Sequence, residues 1–119
     1  MDIEPNHAIT LFFTYRVHDE ALFESYLEKV LPVTEADEPY MLAYEIFRND
    51  EGVYAQREVY ADGEALAKHF TLTADGQRDW AAATEMITFA ALGTPPREWF
   101  ETHQLPTSVA YARFRSVAR

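Results

Sequence analysis

His69 is the residue best suited to acid–base chemistry. It stands three residues after Leu66 and next to Phe70, so on a helix its imidazole falls on the apolar stripe that faces a sheet. A neutral imidazole there takes a proton from a phenol or enol near neutral pH. The same position also suits a core histidine bonded to a backbone carbonyl. Phe13, Tyr15, Tyr44, Phe70 and Trp80 offer ring faces for an aromatic ligand, although rings at strand and helix spacing serve a core equally well. Arg57, placed with Tyr44 on the helix-facing side of a hairpin, is expected to hold a substrate carboxylate or phenolate, or to form an ion pair.

Other chemistries lack their residues. There is no cysteine, hence no disulfide, thiolate nucleophile or Cys-ligated zinc. His7, His18, His69 and His103 are scattered, without an H-x-H or H-E-x-x-H spacing, so no metal site is expected. No Gly-rich phosphate loop or Ser-centred elbow occurs, and Lys29 and Lys68 sit among acidic helix positions, so no cofactor is expected.

These residues need elements to position them. Ala8 to Val17 alternates Ile9, Leu11, Phe13, Tyr15 and Val17 with Thr10, Phe12, Thr14 and Arg16, which predicts a strand. Asp19 caps a helix with Leu22, Phe23, Tyr26, Leu27, Val30 and Leu31 on one stripe, and Pro32 is expected to help end it. Tyr40 to Arg48 and Val53 to Ala61 flank the turn-forming Asn49-Asp50-Glu51-Gly52 and predict an antiparallel hairpin. Asp62 caps a helix through Leu72, a second helix surrounds Trp80, and a strand follows from Met86 to Leu92. Pro95 and Pro96 start a small helix through His103, and a last strand is expected from Ser108 to about Val117. The order is that of a ferredoxin-like split βαβ fold of the α+β class, with an extra C-terminal helix and strand in one domain spanning 1–119.

With Arg48 set opposite Val53, the hairpin carries large apolar groups on both faces, and a few helices cover only one. Met41, Phe47, Tyr54 and Tyr60 then form an apolar patch on the uncovered face, with Glu58 among them needing a polar partner. The expectation is a homodimer packed through that face.

Of the 119 residues, 48% are hydrophobic, 14% aromatic and 25% charged, which fits one globular domain with an aromatic interior. Met1 to Glu64 holds fifteen acids against four bases, and the formal charge of the whole is −10, which argues against nucleic acid and anionic lipid as partners. Met1 to Glu4 lacks the basic-then-apolar order of a signal peptide, and the run Ala81 to Gly93 is too short and too polar to cross a bilayer. A cytoplasmic location without a membrane anchor is the expectation.

The stretch Glu38-Pro39-Tyr40-Met41-Leu42-Ala43-Tyr44-Glu45-Ile46-Phe47-Arg48, followed by Arg57-Glu58-Val59-Tyr60-Ala61-Asp62-Gly63-Glu64-Ala65-Leu66-Ala67-Lys68-His69-Phe70, resembles the antibiotic biosynthesis monooxygenase (ABM) domain family. The likeness runs from about Ile9 to Leu92. It implies a dimeric α+β barrel with a small-molecule cavity in each subunit between sheet and helices. It also implies a cofactor-independent monooxygenase-like activity on a small aromatic, quinol-type or enolisable substrate. The alternatives on the same fold are a non-catalytic small-molecule-binding dimer and an isomerase of a small metabolite. Tyr40 stands where the family has Gly, and Thr71 to Gly76 departs from its small-Pro-His stretch. Haem-degrading relatives carry an iron-ligating histidine about where this chain has Gln77, Arg78, Asp79 and Trp80, so haem is not expected.

Overall fold

The computed structural model describes residues 7–103 and 108–117; Met1 to Glu4 lies outside them. Strand β1 (Ile9–Val17) buries Ile9, Leu11, Phe13 and Tyr15, and the intervening Phe12 faces out at 42% exposure. Helix α1 (Glu20–Asp37) starts at Asp19, whose carboxylate accepts from the Leu22 amide at 3.1 Å. Its apolar stripe places Phe23, Tyr26, Val30 and Thr34 in the interior.

Pro32 does not end α1, which runs five residues further, to Asp37. The last turn is tied down from outside the ladder. The Thr34 hydroxyl donates to Glu38 Oε1 at 2.7 Å, and the Glu38 amide donates to the Thr34 carbonyl at 3.3 Å. These contacts, with burial of Val30 and Thr34, offset the hydrogen bond that proline removes.

Strands β2 (Met41–Arg48) and β3 (Tyr54–Tyr60) form the predicted hairpin, but in a different register. Arg48 stands opposite Tyr54, one residue beyond the expected Val53. The reason lies in the turn. Asn49 Oδ1 accepts from the amides of Glu51 (3.0 Å) and Val53 (2.9 Å), the Asn49 amide donates to the Val53 carbonyl (3.0 Å), and Gly52 sits at φ +79°. Val53 thus belongs to the loop. Because side chains alternate with period two, a one-residue slip exchanges the two faces of β3.

Four expected interface residues therefore move inward. Tyr54, Gln56, Glu58 and Tyr60 share the helix-covered face of β3; Tyr54 is half-buried in ring contact with Tyr15 and Phe23, and Glu58 and Tyr60 are fully enclosed. Met41, opposite Tyr60 beside a bulge, packs against the core. Arg57 turns outward to Glu45 at 2.6 Å, away from the helices. Of the expected interface set only Phe47 lies on the uncovered face, 53% exposed.

Asp62 caps α2 (Gly63–Leu72) by accepting from the Ala65 amide at 2.9 Å, and α3 (Ala74–Ala83) follows after Thr73. Gly76 lets α3 press against α1: a Cβ there would come within 2.3 Å of Val30 Cγ2. Strand β4 (Thr84–Leu92) returns beside β1, and α4 (Arg97–His103) follows. Strand β5 (Ser108–Tyr111) runs parallel to β4 and is shorter than expected; Ala112 to Val117 has no regular structure, with Phe114 and Val117 exposed.

The sheet order is β2-β3-β1-β4-β5, antiparallel except at its last pair, which makes an α+β fold with a split βαβ core. The buried side chains gather between one face of the sheet and the helices. On the other face Phe12, Phe47, Leu92, Val109 and Tyr111 stand substantially exposed. No helix among the described residues is long and apolar enough to cross a membrane.

Candidate active site

Between the sheet and the helices lies a cavity of about 340 Å³, within the range of small-molecule sites. Phe13, Met86 and Phe89 line it from the sheet, Phe70 and Trp80 from α2 and α3, and Trp99 from α4. The rings hold one another in place: Phe13 stacks on Phe89 at 5.8 Å, meets Trp80 edge-on at 5.7 Å, and Phe70 packs on Trp99 at 5.2 Å.

Five polar side chains interrupt this apolar wall: Tyr26, Gln56, Glu58, Gln77 and Thr84. Glu58 is 3% exposed, and its two oxygens accept from the Tyr60 hydroxyl and from Gln56 Nε2, the latter at 2.6 Å. Burial pushes its carboxyl above the usual range, and the hydrogen bonds from Tyr60 and Gln56, which favour the charged form, oppose that without cancelling it. Gln56 accepts from the Tyr15 hydroxyl at 2.7 Å and donates to the Tyr26 hydroxyl at 3.0 Å, which is bonded in turn to Tyr44. Burial pushes the phenols of Tyr15, Tyr26, Tyr44 and Tyr60 upward, so they remain neutral donors, and Glu58 is the titratable carboxyl in the cavity wall. The Trp80 indole N–H is buried without an acceptor in good geometry, although it lies close enough to the Tyr15 phenol to favour its ionised form slightly.

His69 is fully buried behind this wall. Its Nδ1 lies 3.0 and 3.1 Å from the two oxygens of Glu38, which also accept from Thr34 (2.7 Å) and Tyr40 (2.9 Å). The rings of Tyr44 and Tyr60 pack on the imidazole at 5.7 and 5.5 Å. Its Nε2 meets Gln77 Nε2 at 3.3 Å, and Gln77 in turn reaches the cavity.

Among the residues expected to bind substrate, Phe13, Phe70 and Trp80 line the cavity. Tyr15 and Tyr44 lie one layer behind it, and Arg57 is on the opposite face of the sheet. Sequence reasoning missed Tyr26, Gln56, Gln77 and Trp99 as lining residues and assigned Glu58 to an interface. The alternation Tyr54, Gln56, Glu58, Tyr60 carried a signal: these residues share one face of a strand whose other face offers Ala55, Arg57 and Val59. Among the described residues no group of three or more His, Cys, Asp or Glu side chains is placed to hold a metal ion.

No protein-family model matches the sequence, and no curated protein matches it. Solved structures do. MupZ from Pseudomonas fluorescens is 19% identical with a TM-score of 0.72, covering 100% of this chain and 94% of its own. A "putative antibiotic biosynthesis monooxygenase" from Caulobacter crescentus is 24% identical with a TM-score of 0.62, covering 76% and 92%. SnoaB from Streptomyces nogalater, a cofactor-independent oxygenase, is 16% identical with a TM-score of 0.59, covering 76% and 95%. The chain has the α+β fold of these antibiotic biosynthesis monooxygenase-type structures.

Proposed function

We propose that this protein is a cofactor-independent, monooxygenase-like enzyme acting on a small aromatic, quinol-type or enolisable molecule held in the cavity, with Glu58 as its acid–base residue. The observation that carries the reading is a buried carboxyl, raised in proton affinity, in the wall of an aromatic cavity. A carboxylate desolvated in this way is a stronger base than one in water. It takes the proton from the substrate, and the resulting anion supplies the electrons that dioxygen requires; one oxygen atom ends in the product and the other in water. His69 and Glu38 sit behind the wall and hold it in place. SnoaB, a cofactor-independent oxygenase, has the same fold, which supports such chemistry here.

The test is oxygen uptake with a panel of quinols, anthrones and polyphenols. A positioned base contributes about 10²–10⁴-fold, so Glu58→Gln should lose that much turnover while remaining folded. Full turnover by the folded variant would remove Glu58 from the chemistry. A second reading, a binding protein without turnover, is favoured by one observation: both Glu58 oxygens already accept hydrogen bonds. Ligand binding by the same panel without oxygen uptake would select it.

We further propose that a second copy of this chain covers the exposed apolar face formed by Phe12, Phe47, Leu92, Val109 and Tyr111. That face also carries the charged pair Glu45 and Arg57, so two copies related by a two-fold axis can match charge as well as apolar surface.

A further inference from the structure

We infer that Gln77 is a substrate-binding residue, oriented by the buried Glu38–His69 pair so that its amide oxygen meets the cavity as a hydrogen-bond acceptor, and that the ligand there is an apolar ring system carrying a hydroxyl or N–H donor. The inference rests on the cavity being the functional site and adds the polarity of the group the site selects.

The donors and acceptors around the Glu38–His69 pair set this orientation. Glu38 is enclosed, and its oxygens accept from the hydroxyls of Thr34 (2.7 Å) and Tyr40 (2.9 Å). The His69 Nδ1 group at 3.0 Å completes that set as a donor. A neutral imidazole that gives its N–H at Nδ1 has a lone pair at Nε2. The Gln77 group lying 3.3 Å from that lone pair is therefore the amide nitrogen. A second contact fixes the same orientation. Thr73 gives its hydroxyl proton to the His69 carbonyl at 2.6 Å, which leaves its oxygen to accept, and Gln77 Nε2 donates to it at 3.2 Å. Both amide protons are thus directed at protein acceptors. Oε1 is the polar atom of Gln77 left over, on a side chain that lines the cavity.

The rest of the wall makes this acceptor informative. Glu58 and Gln56 are committed to each other and to Tyr15, Tyr26 and Tyr60, the Thr84 hydroxyl donates to the Trp80 carbonyl at 2.8 Å, and the Trp80 indole N–H is a donor that the Gln77 acceptor complements in the same wall. A ligand that lacks a donor leaves the Gln77 oxygen desolvated and unmatched, whereas one with a hydroxyl satisfies it. Glu38 and His69 do not touch the ligand in this scheme; they are positioning residues.

The test compares 2-naphthol with 2-methoxynaphthalene, probes of the same ring system that differ in the ability to donate, by titration calorimetry on the full chain. One added hydrogen bond corresponds to roughly a three- to tenfold difference in Kd, so the parent should bind 2-naphthol that much more tightly. Gln77→Met should abolish the preference while leaving the affinity for 2-methoxynaphthalene in place, which also shows that the cavity is intact. Thr73→Val, which removes one of the two anchors at almost constant volume, should reduce the preference part of the way. A parental preference retained in Gln77→Met overturns the inference, as does equal binding of the two probes by the parent. Loss of the preference in Gln77→Met with none in Thr73→Val keeps Gln77 and removes the Thr73 anchor. If the parent binds neither probe up to the solubility limit, the reading of the cavity as a site for ring-sized ligands falls, and this inference with it.

Discussion

Glu45 and Glu38 each meet a basic side chain, Arg57 at 2.6 Å and His69 at 3.0 Å, yet the two pairs lie in different surroundings. The Glu45–Arg57 pair sits on the open face of the sheet with each side chain about half exposed (45% and 46%). The Glu38–His69 pair is at 0% on both sides and is completed by Thr34, Tyr40 and Gln77. Water competes for the first pair and is excluded from the second. The first is therefore a surface contact that tolerates loss, whereas the second is part of the scaffold on which the cavity wall depends.

The widest gap between the two is expected on deleting the acid. Glu38→Ala leaves three donors without an acceptor, of which Thr34 and His69 are buried, and breaking a buried pair costs about 3–5 kcal/mol. The matching change at the surface, Glu45→Ala, should cost no more than about 1 kcal/mol and less at high salt. Urea denaturation of both variants measures the contrast. Equal losses would show that the buried pair is no more integral to the fold than the exposed one.

The sequence shows how far such a contrast can be anticipated. Element order was legible because it is local: alternation in Ile9 to Val17, aspartates at 19 and 62 ahead of helical stripes, and a turn cluster at Asn49 to Gly52 each reveal themselves within a few residues. Which face of β3 looks inward was not. It depended on whether Val53 belonged to the strand or to the loop that Asn49 closes, and that one-residue choice exchanged Arg57 for Glu58 as the side chain beside the cavity. Glu38 stands out in the sequence only as part of a motif, because its partner His69 is 31 positions away and the contact exists only once α1 and α2 pack on the same face. Pro32 signals a helix end in the sequence because the contacts that carry the helix past it come from Thr34 and Glu38 beyond it.

A second prediction sharpens the distinction by pH. Burial raises the Glu58 carboxyl above its unfolded value, so between the ordinary carboxylate range and its raised titration the folded protein binds more protons than the unfolded chain. Stability from this group is present at low pH and declines as pH rises through that window, with a slope of at most about 1.4 kcal/mol per pH unit for one proton. Glu58→Gln has no such proton, so the difference in stability between variant and parent should move in the variant's favour as pH rises and should be flat below the window. Denaturation curves from pH 4 to 8 read this directly. A difference that is constant over the range, or that moves the other way, would mean that the carboxyl is not raised by its burial.

The smallest effect on the protomer is expected on the open face, where the consequence should appear instead in association. Phe12 is 42% exposed on β1, in a row between Arg57 of β3 and Ala90 of β4. Placing a carboxylate there buries nothing further in the single chain, so Phe12→Glu should change protomer stability by no more than about 1 kcal/mol. In a two-fold assembly the same position brings two new carboxylates into or near a desolvated interface, together with the acids that already give the chain its charge of −10. Sedimentation of the parent should therefore show twice the 13.7 kDa chain mass at micromolar concentration, and the variant should sediment as the single chain with an unchanged far-ultraviolet spectrum. An interface that holds two such copies buries at least about 1,200 Å², and Phe12 stands on β1, the middle strand of the sheet. A parent that sediments as a 13.7 kDa particle would leave the face open to water, and a variant that remains dimeric would place the contact elsewhere on the molecule.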